Sequence, residues 1–247
     1  MAGRAIYEIS GKDREHFLQG LVSNDLRKLK DGAVYAALLT PQGKYLADFF
    51  LIPWGESILL DVDRDLAEAT IKRLSMYKLR ADATISPSPL HVFRGTGTPP
   101  EGAFADPRSP AMGWRLYGDV EGDDGTDWDA LRVAHLVPAS GIELTPDSYI
   151  LEMGFERLNG VDFRKGCYVG QEVTARMKHK TELRKGLVQV SVSAPVPVGT
   201  EIVSVGSSGP KTVGTLYTQA GGTGLAYLRL DRIDGELQAQ TAAIRVI

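Results

Sequence analysis

The sequence predicts an α+β protein that ends in a separate small β-barrel. In the N-terminal third, segments with helical periodicity alternate with short apolar runs joined by turn residues, and helices mixed with antiparallel strands are typical of an α+β core. After Gly186 the chain changes to short β-rich runs separated by Gly, Pro or Ser, which is typical of a small barrel or sandwich. We therefore divide the chain into residues 1–90 and 91–184, two α+β parts of one core, and residues 185–247, the barrel.

The N-terminal part contains signals for two helices and three strands. Ser10 to Leu21 starts with a capping residue and acidic groups and continues with apolar residues at helical spacing, which predicts a short helix. Residues 33–52 form two apolar runs on either side of a proline-glycine turn, the pattern of a hairpin, and Ile58 to Val62 predicts a third strand. Between Asp63 and Leu79, apolar side chains recur every three to four residues, as on an amphipathic helix.

Two later segments predict surface loops, and the last third predicts strands. Gly95 to Pro110 is rich in Gly and Pro, and Asp119 to Asp129 carries six acids and no base, so both are interpreted as solvated loops. Five β-rich runs then predict the strands of the barrel. They are Leu187 to Val192, Glu201 to Val205, Val213 to Tyr217, Leu225 to Leu230 and Ala242 to Val246.

Charge and cysteine content exclude several kinds of function. The net charge of −3 gives no reason to expect a polyanion as partner of the whole molecule. The single cysteine cannot form an internal disulfide, which fits a reducing compartment, and it cannot alone supply the roughly four ligands of an iron-sulfur cluster. The four histidines are scattered, so we expect no structural metal. Neither a secretory signal nor an apolar run of about 18 residues is present, so we expect a cytoplasmic protein with no membrane partner.

A basic segment surrounds the only cysteine, Cys167. From Arg164 to Lys185 the chain carries seven bases and two acids, a local charge of +5 (7 − 2). Nearby positive charge and a position before a helix both stabilise a thiolate, the nucleophilic and metal-binding form of cysteine. Gly166 and Gly170 bracket the cysteine, and good helix formers follow from Gln171 to Met177. The alternative interpretation is that Cys167 is a buried, unreactive small hydrophobe.

The residues around this cysteine resemble a complete family signature, Lys-Gly-Cys-Tyr/Phe-x-Gly-Gln-Glu. Its positions here are Lys165, Gly166, Cys167, Tyr168, Val169, Gly170, Gln171 and Glu172. On these residues the chain resembles the YgfZ/Iba57 family of folate-binding proteins, relatives of the glycine-cleavage T-protein. The resemblance extends to residues 17–25, which are similar to the family's opening helix and Asn-Asp pair, and to the barrel-like C-terminal end.

The resemblance implies a T-protein-like, folate-binding core and a role in the assembly or repair of iron-sulfur proteins. It implies tetrahydrofolate or a related reduced folate as the cofactor and Cys167 as a reactive thiol. The implied partners are iron-sulfur assembly factors or client iron-sulfur proteins, and tRNA-modifying iron-sulfur enzymes would be affected indirectly. No tightly bound metal is expected.

Three residues are carried over as folate contacts. The segment around Glu152 is similar to the T-protein stretch whose glutamate holds the pterin, and a carboxylate can accept two parallel hydrogen bonds from the pterin's amino group and ring N–H. Asp48 resembles one of two adjacent acids of active T-proteins, and the other acid is absent here. Asn24 is the third candidate. A solvated Glu152, a structural Asp48 and a capping or turn role for Asn24 remain alternatives.

Two other functions remain open from the sequence. The first is a folate-dependent aminomethyl or methyl transferase, for which Asp48 is the only clear acid. The second is a tRNA-binding module in which Tyr168 stacks on a base while Arg176, Lys178 and Lys180 neutralise phosphates. The alternatives to that module are a solvated basic helix face and a tyrosine that packs beneath the cysteine loop.

Overall fold

A computed structural model describes residues 3–180, 183–206 and 209–247, and of Lys180 it describes the backbone alone. It confirms the predicted α+β class and the C-terminal β-barrel. Backbone packing divides the chain into two units, and each is described by itself. They are unit 1, Met1–Thr126 with Phe155–Ala175, and unit 2, Asp127–Gly154 with Arg176–Ile247. The units do not follow the domain boundaries predicted after residues 90 and 184, which remain a prediction.

Unit 1 begins with a five-stranded antiparallel sheet and two helices. The elements are β1 Arg4–Ser10, α1 Arg14–Gln19, β2 Val34–Leu39, β3 Tyr45–Trp54, β4 Ser57–Asp63, α2 Arg64–Lys78 and β5 Thr84–Pro87. The strand order is β2-β3-β4-β1-β5, and a 3-10 turn at Leu26–Asp31 precedes β2. The hairpin, the third strand and both helices are confirmed, although α1 is shorter than predicted. Strands β1 and β5 were not predicted.

The two faces of this sheet differ in chemistry because successive side chains of a strand point to opposite sides. On one face, Val34 and Phe49 belong to the apolar core that also holds the buried residues of α1 and α2. On the other face, Tyr35 lies opposite Phe50, and Phe50 lies opposite Asp61. The second face therefore carries charged and hydroxyl groups, whereas the first face is apolar.

A second, smaller sheet of unit 1 was not predicted from the sequence, and two of its strands lie in predicted loops. Its strands, in the order β7-β8-β6-β9, are β6 His91–Gly95, β7 Phe104–Ala105, β8 Trp114–Gly118 and β9 Gly122–Asp123. The predicted loop Gly95 to Pro110 contains β7, and the predicted loop Asp119 to Asp129 contains β9 and the start of a helix, so both predictions are wrong in part. All four strands were missed. Those inside the predicted loops, β7 and β9, have two residues each, too few to show the alternation by which a strand is recognised.

Arginine side chains pair with the polar face of the larger sheet. Arg115, from β8, donates to Asp61 Oδ2 at 2.5 Å, and the Tyr117 hydroxyl donates to the same oxygen at 2.8 Å. Arg4 Nε donates to Asp61 Oδ1 at 2.6 Å. The guanidinium carbon of Arg115 also lies 4.0 Å from the centre of the Phe50 ring, a cation–π contact. Burial raises the pKa of Asp61, but the charges of Arg115 and Arg4 outweigh burial and lower the pKa to about 2.

Unit 2 contains a short helix, the end of a second helix and a closed six-stranded barrel. The elements are α3 Trp128–Ala134, then α4 Gln171–Lys180, which runs from unit 1 into unit 2, and β10 Lys185–Val192, β11 Thr200–Gly206, β12 Gly209–Ala220, β13 Thr223–Arg229, β14 Glu236–Ala239 and β15 Ala242–Val246. The barrel order is β10-β13-β12-β11-β14-β15. All five predicted barrel strands are confirmed, and the short β14 was missed. Within the residues that the structure describes, no helix has the length and apolar character needed to cross a membrane.

Replacing Asp61 by Asn should remove a pH-dependent part of the stability. The pKa of Asp61 is lowered from 3.8 to about 2 on folding. Its ionised carboxylate therefore stabilises the native state by about 2 kcal/mol at neutral pH, and this contribution is lost as the pH falls from about 4 to about 2. The measurement is urea unfolding of the wild type and of Asp61→Asn across this pH range. As the pH falls, the free energy of unfolding should drop less for the variant than for the wild type.

Asp65→Asn is the matched control, because Asp65 lies at the exposed start of α2 and has no ion pair in the part of the chain that the structure describes. It should keep the wild-type drop between about pH 4 and about pH 2. An equal drop in Asp61→Asn and in the wild type would contradict the role given to the buried Asp61 carboxylate.

Candidate functional site

The signature loop, residues 165–172, leads into helix α4. Cys167 is exposed in this loop, and α4 begins shortly after it at Gln171. The predicted helix after the cysteine is therefore present, and Cys167 is not buried as the alternative interpretation required. The reactivity of its thiol stays a prediction. The sulfur can be reached from solvent.

The side chain of Lys165 anchors the signature loop to the end of α1. Its ammonium group donates to the backbone oxygen of Gln19 at 2.7 Å and to that of Val22 at 2.5 Å. Carbonyl groups at the C-terminal end of a helix lack partners inside the helix, and a cation is favoured there. Lys165 is only 4% exposed, and burial lowers its pKa to about 8. The sequence analysis did not assign this anchoring role.

Tyr168 packs beneath the loop. It is 7% exposed, and the ammonium nitrogen of Lys165 lies 4.8 Å from the centre of its ring. The next residue, Val169, donates its N–H to the Gly20 oxygen at 3.3 Å and packs on the apolar core of unit 1. Burial raises the pKa of Tyr168 to about 12. Of the two interpretations of Tyr168, the structure shows the packed ring, which leaves no exposed face for a nucleotide base.

Gly170 fixes the loop against the hairpin between β2 and β3. Its φ of +84° lies in the left-handed region that favours glycine, and a Cβ there would lie 2.7 Å from the backbone oxygen of Thr40. Gly43 in the hairpin turn approaches α4 as closely, since its Cβ would lie 2.9 Å from the Cβ of Val173. At Gly166, by contrast, nothing lies within 4 Å of an added Cβ. The loop is therefore constrained around Gly170 and open around Gly166.

The positive charge of the basic segment is divided between different surroundings. Three of the bases have exposed side chains: Arg164, Arg176 and Arg184. The ammonium group of Lys165 instead donates hydrogen bonds to backbone oxygens. The side chain of Lys180 and the whole of Glu182 lie outside the described residues. The local charge of +5 counted from the sequence therefore includes one base, Lys165, whose ammonium group is buried.

Asp48 is held by two tyrosines in unit 1. The Tyr35 hydroxyl donates to Oδ2 at 2.9 Å and the Tyr45 hydroxyl donates to Oδ1 at 2.6 Å. Asp48 is 5% exposed. Burial and the negative charge of Asp48 raise the pKa of Tyr35 well above its ordinary value, so Tyr35 stays a donor. The sequence analysis missed both tyrosines; the register of the hairpin, which puts Tyr35 and Asp48 on one face, would have been the signal.

Asn24 is fully engaged by the protein itself. Its side-chain nitrogen donates to the backbone oxygens of Tyr35, at 2.8 Å, and Asn159, at 2.6 Å. Its side-chain oxygen accepts from the Asp25 N–H and the Lys28 ammonium, each at 2.9 Å. A neutral amide has two donor hydrogens and two acceptor positions, so its capacity is filled. These bonds give Asn24 a structural role, and its predicted contact with folate stays a prediction.

Glu152 lies in unit 2, in a turn-rich segment. Its Oε2 accepts a hydrogen bond from the Tyr227 hydroxyl at 2.5 Å, and its backbone oxygen accepts one from the Leu187 N–H at 2.8 Å. Its other carboxylate oxygen, Oε1, has no hydrogen-bond donor among the residues that the structure describes. Glu152 is half-buried. The sequence analysis did not identify Tyr227 as its partner.

Over residues 3–180, 183–206 and 209–247, no three His, Cys, Asp or Glu side chains are grouped so that they could hold a metal ion. The predicted site residues lie in both units. The signature loop, Asp48 and Asn24 belong to unit 1, and Glu152 belongs to unit 2.

Comparison with known proteins gives three findings. Residues 184–247 match the family model of the CAF17 C-terminal β-barrel domain. The chain is 33% identical to the mouse mitochondrial iron-sulfur cluster assembly factor IBA57 over 99% of its own length and 81% of the mouse protein, and 33% identical to the human one over 97% and 79%. The crystal structure of the glycine cleavage system aminomethyltransferase T from Bartonella henselae superposes with a TM-score of 0.78 at 14% identity, covering 98% of this chain and 82% of that one. The last match confirms the T-protein-like fold.

Replacing Gly170 by Ala should destabilise unit 1, whereas Gly166→Ala should be tolerated. Gly170 combines a left-handed φ with a Cβ position 2.7 Å from a backbone oxygen, so we expect a loss of about 2 kcal/mol or more of unfolding free energy. For Gly166→Ala, with open space around the added methyl group, we expect a change within about 0.5 kcal/mol. Urea unfolding of both variants measures the difference; equal losses would contradict the packing assigned to Gly170.

Proposed function

We propose, from the premise that this chain belongs to the IBA57 family of iron-sulfur cluster assembly factors, that it acts in the assembly or repair of iron-sulfur proteins through the thiol of Cys167. The observation that carries this proposal is the exposure of the chain's single thiol on a loop whose neighbouring residues are fixed by packing. An exposed thiol on an anchored loop can meet a partner protein without unfolding of its own surroundings.

The number of thiols defines what Cys167 can do. An iron-sulfur cluster takes about four protein ligands, and one cysteine supplies one. Cys167 therefore acts together with ligands from a partner protein or a small thiol, and its exposure allows such sharing. The proposed partners are iron-sulfur assembly factors or client iron-sulfur proteins, with tRNA-modifying enzymes affected through the supply of clusters.

The proposed cofactor is tetrahydrofolate or a related reduced folate, and the carboxylate of Glu152 supports it. Oε2 of Glu152 is oriented by Tyr227, while Oε1 has no donor among the described residues. A carboxylate in this state fits a ligand edge with two parallel N–H groups, such as the amino group and ring N–H of a pterin. Glu152 would hold and orient that edge. A bound reduced folate would supply a one-carbon carrier or a reductant, and Asp48 stays a predicted contact to it.

The two alternative functions receive less support. Aminomethyl or methyl transfer would depend on Asp48, whose two oxygens are each bound by a tyrosine hydroxyl. A tRNA-binding module would have to do without the buried ring of Tyr168. Both functions stay predictions. The expected cytoplasmic location also stays a prediction, and the curated relatives carry the word mitochondrial in their names.

Cys167→Ser should abolish cellular function and leave the fold intact. Serine matches cysteine in size, but a hydroxyl is a far weaker metal ligand and nucleophile than a thiolate at neutral pH. The measurement is the activity of iron-sulfur enzymes in a deletion strain that carries either the wild type or the variant, together with the thermal unfolding midpoint of each purified protein. We expect activity near that of the empty strain and an unchanged midpoint.

Gly166→Ala is the control for this experiment, because it alters the same exposed loop and keeps the thiol. It should restore enzyme activity to the wild-type level. Full restoration by Cys167→Ser would exclude the proposed role of the thiol.

Glu152→Gln should weaken the binding of tetrahydrofolate at least about tenfold. The amide removes the negative charge and one of the two parallel acceptors, and hydrogen bonds to charged groups contribute more than neutral ones. Calorimetric titration with tetrahydrofolate measures the affinity. Glu236→Gln, an exposed glutamate of the barrel, is the matched control and should bind as the wild type does. Equal affinities of the wild type and Glu152→Gln would contradict the assignment of Glu152.

A further inference from the structure

We propose that Tyr227 is the positioning residue for Glu152: its hydroxyl holds the carboxylate in the orientation that receives the paired N–H groups of a reduced folate. This inference rests on the proposed binding of folate by Glu152. It adds a residue of the barrel to the ligand-binding apparatus, where sequence reasoning found only strands.

The geometry ties both ends of Glu152 to one pair of residues in the barrel. Tyr227, on β13, donates to Oε2 at 2.5 Å, and the Leu187 N–H, on β10, donates to the backbone oxygen of Glu152 at 2.8 Å. Leu187 and Tyr227 are direct partners in the β10–β13 ladder. One cross-strand pair therefore fixes both the main chain and the side chain of Glu152.

This fixation is needed because Glu152 does not lie on a regular element. The segment around it is a run of turns. A glutamate side chain has several rotatable bonds, and a carboxylate that moves loses side-chain entropy when it binds a ligand. A strand of a closed barrel is a rigid support, so the Tyr227 hydroxyl removes this freedom before the ligand arrives.

The hydrogen bond from Tyr227 leaves room for the ligand. A carboxylate has about four acceptor positions on its two oxygens. Tyr227 takes one position on Oε2, and Oε1 receives no donor from the residues that the structure describes. Two parallel N–H groups need one position on each oxygen, so the tyrosine and the ligand can bind at the same time.

Tyr227 also keeps its proton under these conditions. Burial, together with the hydrogen bond to the Glu152 carboxylate, raises the pKa of Tyr227 well above its ordinary value. The hydroxyl therefore keeps its proton and acts as a donor at neutral pH. It cannot serve as a base, and its contribution is orientation.

The test is a double-mutant cycle in tetrahydrofolate binding, measured by calorimetry on the full chain. The variants are Tyr227→Phe, Glu152→Gln and the double variant. We expect Tyr227→Phe to weaken binding about fivefold to tenfold in the wild-type background. In the Glu152→Gln background the same change should have no further effect, because there is no carboxylate left to orient.

Tyr217→Phe is the matched control, since Tyr217 lies on the neighbouring strand β12 of the same barrel and makes no hydrogen bond to Glu152 among the described residues. It should bind as the wild type does. If Tyr227 merely supported the barrel, Tyr227→Phe would weaken binding equally in both backgrounds and lower the thermal midpoint, and the inference would be overturned.

The outcomes separate this inference from the proposed function. If the wild type does not bind tetrahydrofolate, both are overturned. If the wild type binds, Glu152→Gln binds more weakly, and Tyr227→Phe binds as tightly as the wild type, only the role of Tyr227 is overturned. Weaker binding by Tyr227→Phe that disappears in the Glu152→Gln background supports it.

Discussion

The geometry of the signature loop depends on the hydrogen bonds that the buried ammonium group of Lys165 donates. Removing a lysine charge from water is costly unless hydrogen bonds replace the lost solvent. Here two backbone oxygens do so: that of Gln19, the last residue of α1, and that of Val22, just beyond the helix. A helix leaves its last carbonyl groups without partners inside the helix, so the Gln19 oxygen needs such a donor. One side chain therefore satisfies the end of α1 and fixes the start of the signature loop. The consequence is a cysteine that is exposed and yet carried on an anchored backbone.

A second buried charge, that of Asp61, is also satisfied by hydrogen bonds, on the polar face of the larger sheet in unit 1. Asp61 is fully buried, and its two oxygens are bound by Arg4, Arg115 and Tyr117. A buried ion pair adds little stability compared with apolar packing, but removing one partner is strongly destabilising. The value of such a network is therefore geometric: it joins β8 of the smaller sheet to the larger one in one defined arrangement. Asp48 and its tyrosines lie on this same face of the larger sheet.

The sequence predicted the elements of this fold better than their mutual contacts. The hairpin, α2 and five barrel strands follow from periodicity and turn residues, which are local signals. The bond from Tyr227 to Glu152 joins positions 75 residues apart, and no local pattern encodes it. The burial of the Lys165 side chain could not be predicted from local pattern either, because lysine is seldom buried and the bases around it indicated a solvated segment. Tertiary packing decides which hydrogen-bond partners a site residue has. Residue types alone therefore identify a candidate site residue but not the residues that contact it.

Packing also separates the structural from the functional positions within the signature. Lys165 binds the end of α1, Tyr168 fills the space beneath the loop, and Gly170 is required by the approach of Thr40. These three residue types are explained by the fold of unit 1 itself. Cys167 and Glu172 are exposed, and neither side chain has a hydrogen bond to the residues that the structure describes. Packing gives no reason for a thiol and a carboxylate at these positions, so these are the signature residues that the proposed role in iron-sulfur assembly would use for contacts outside this chain.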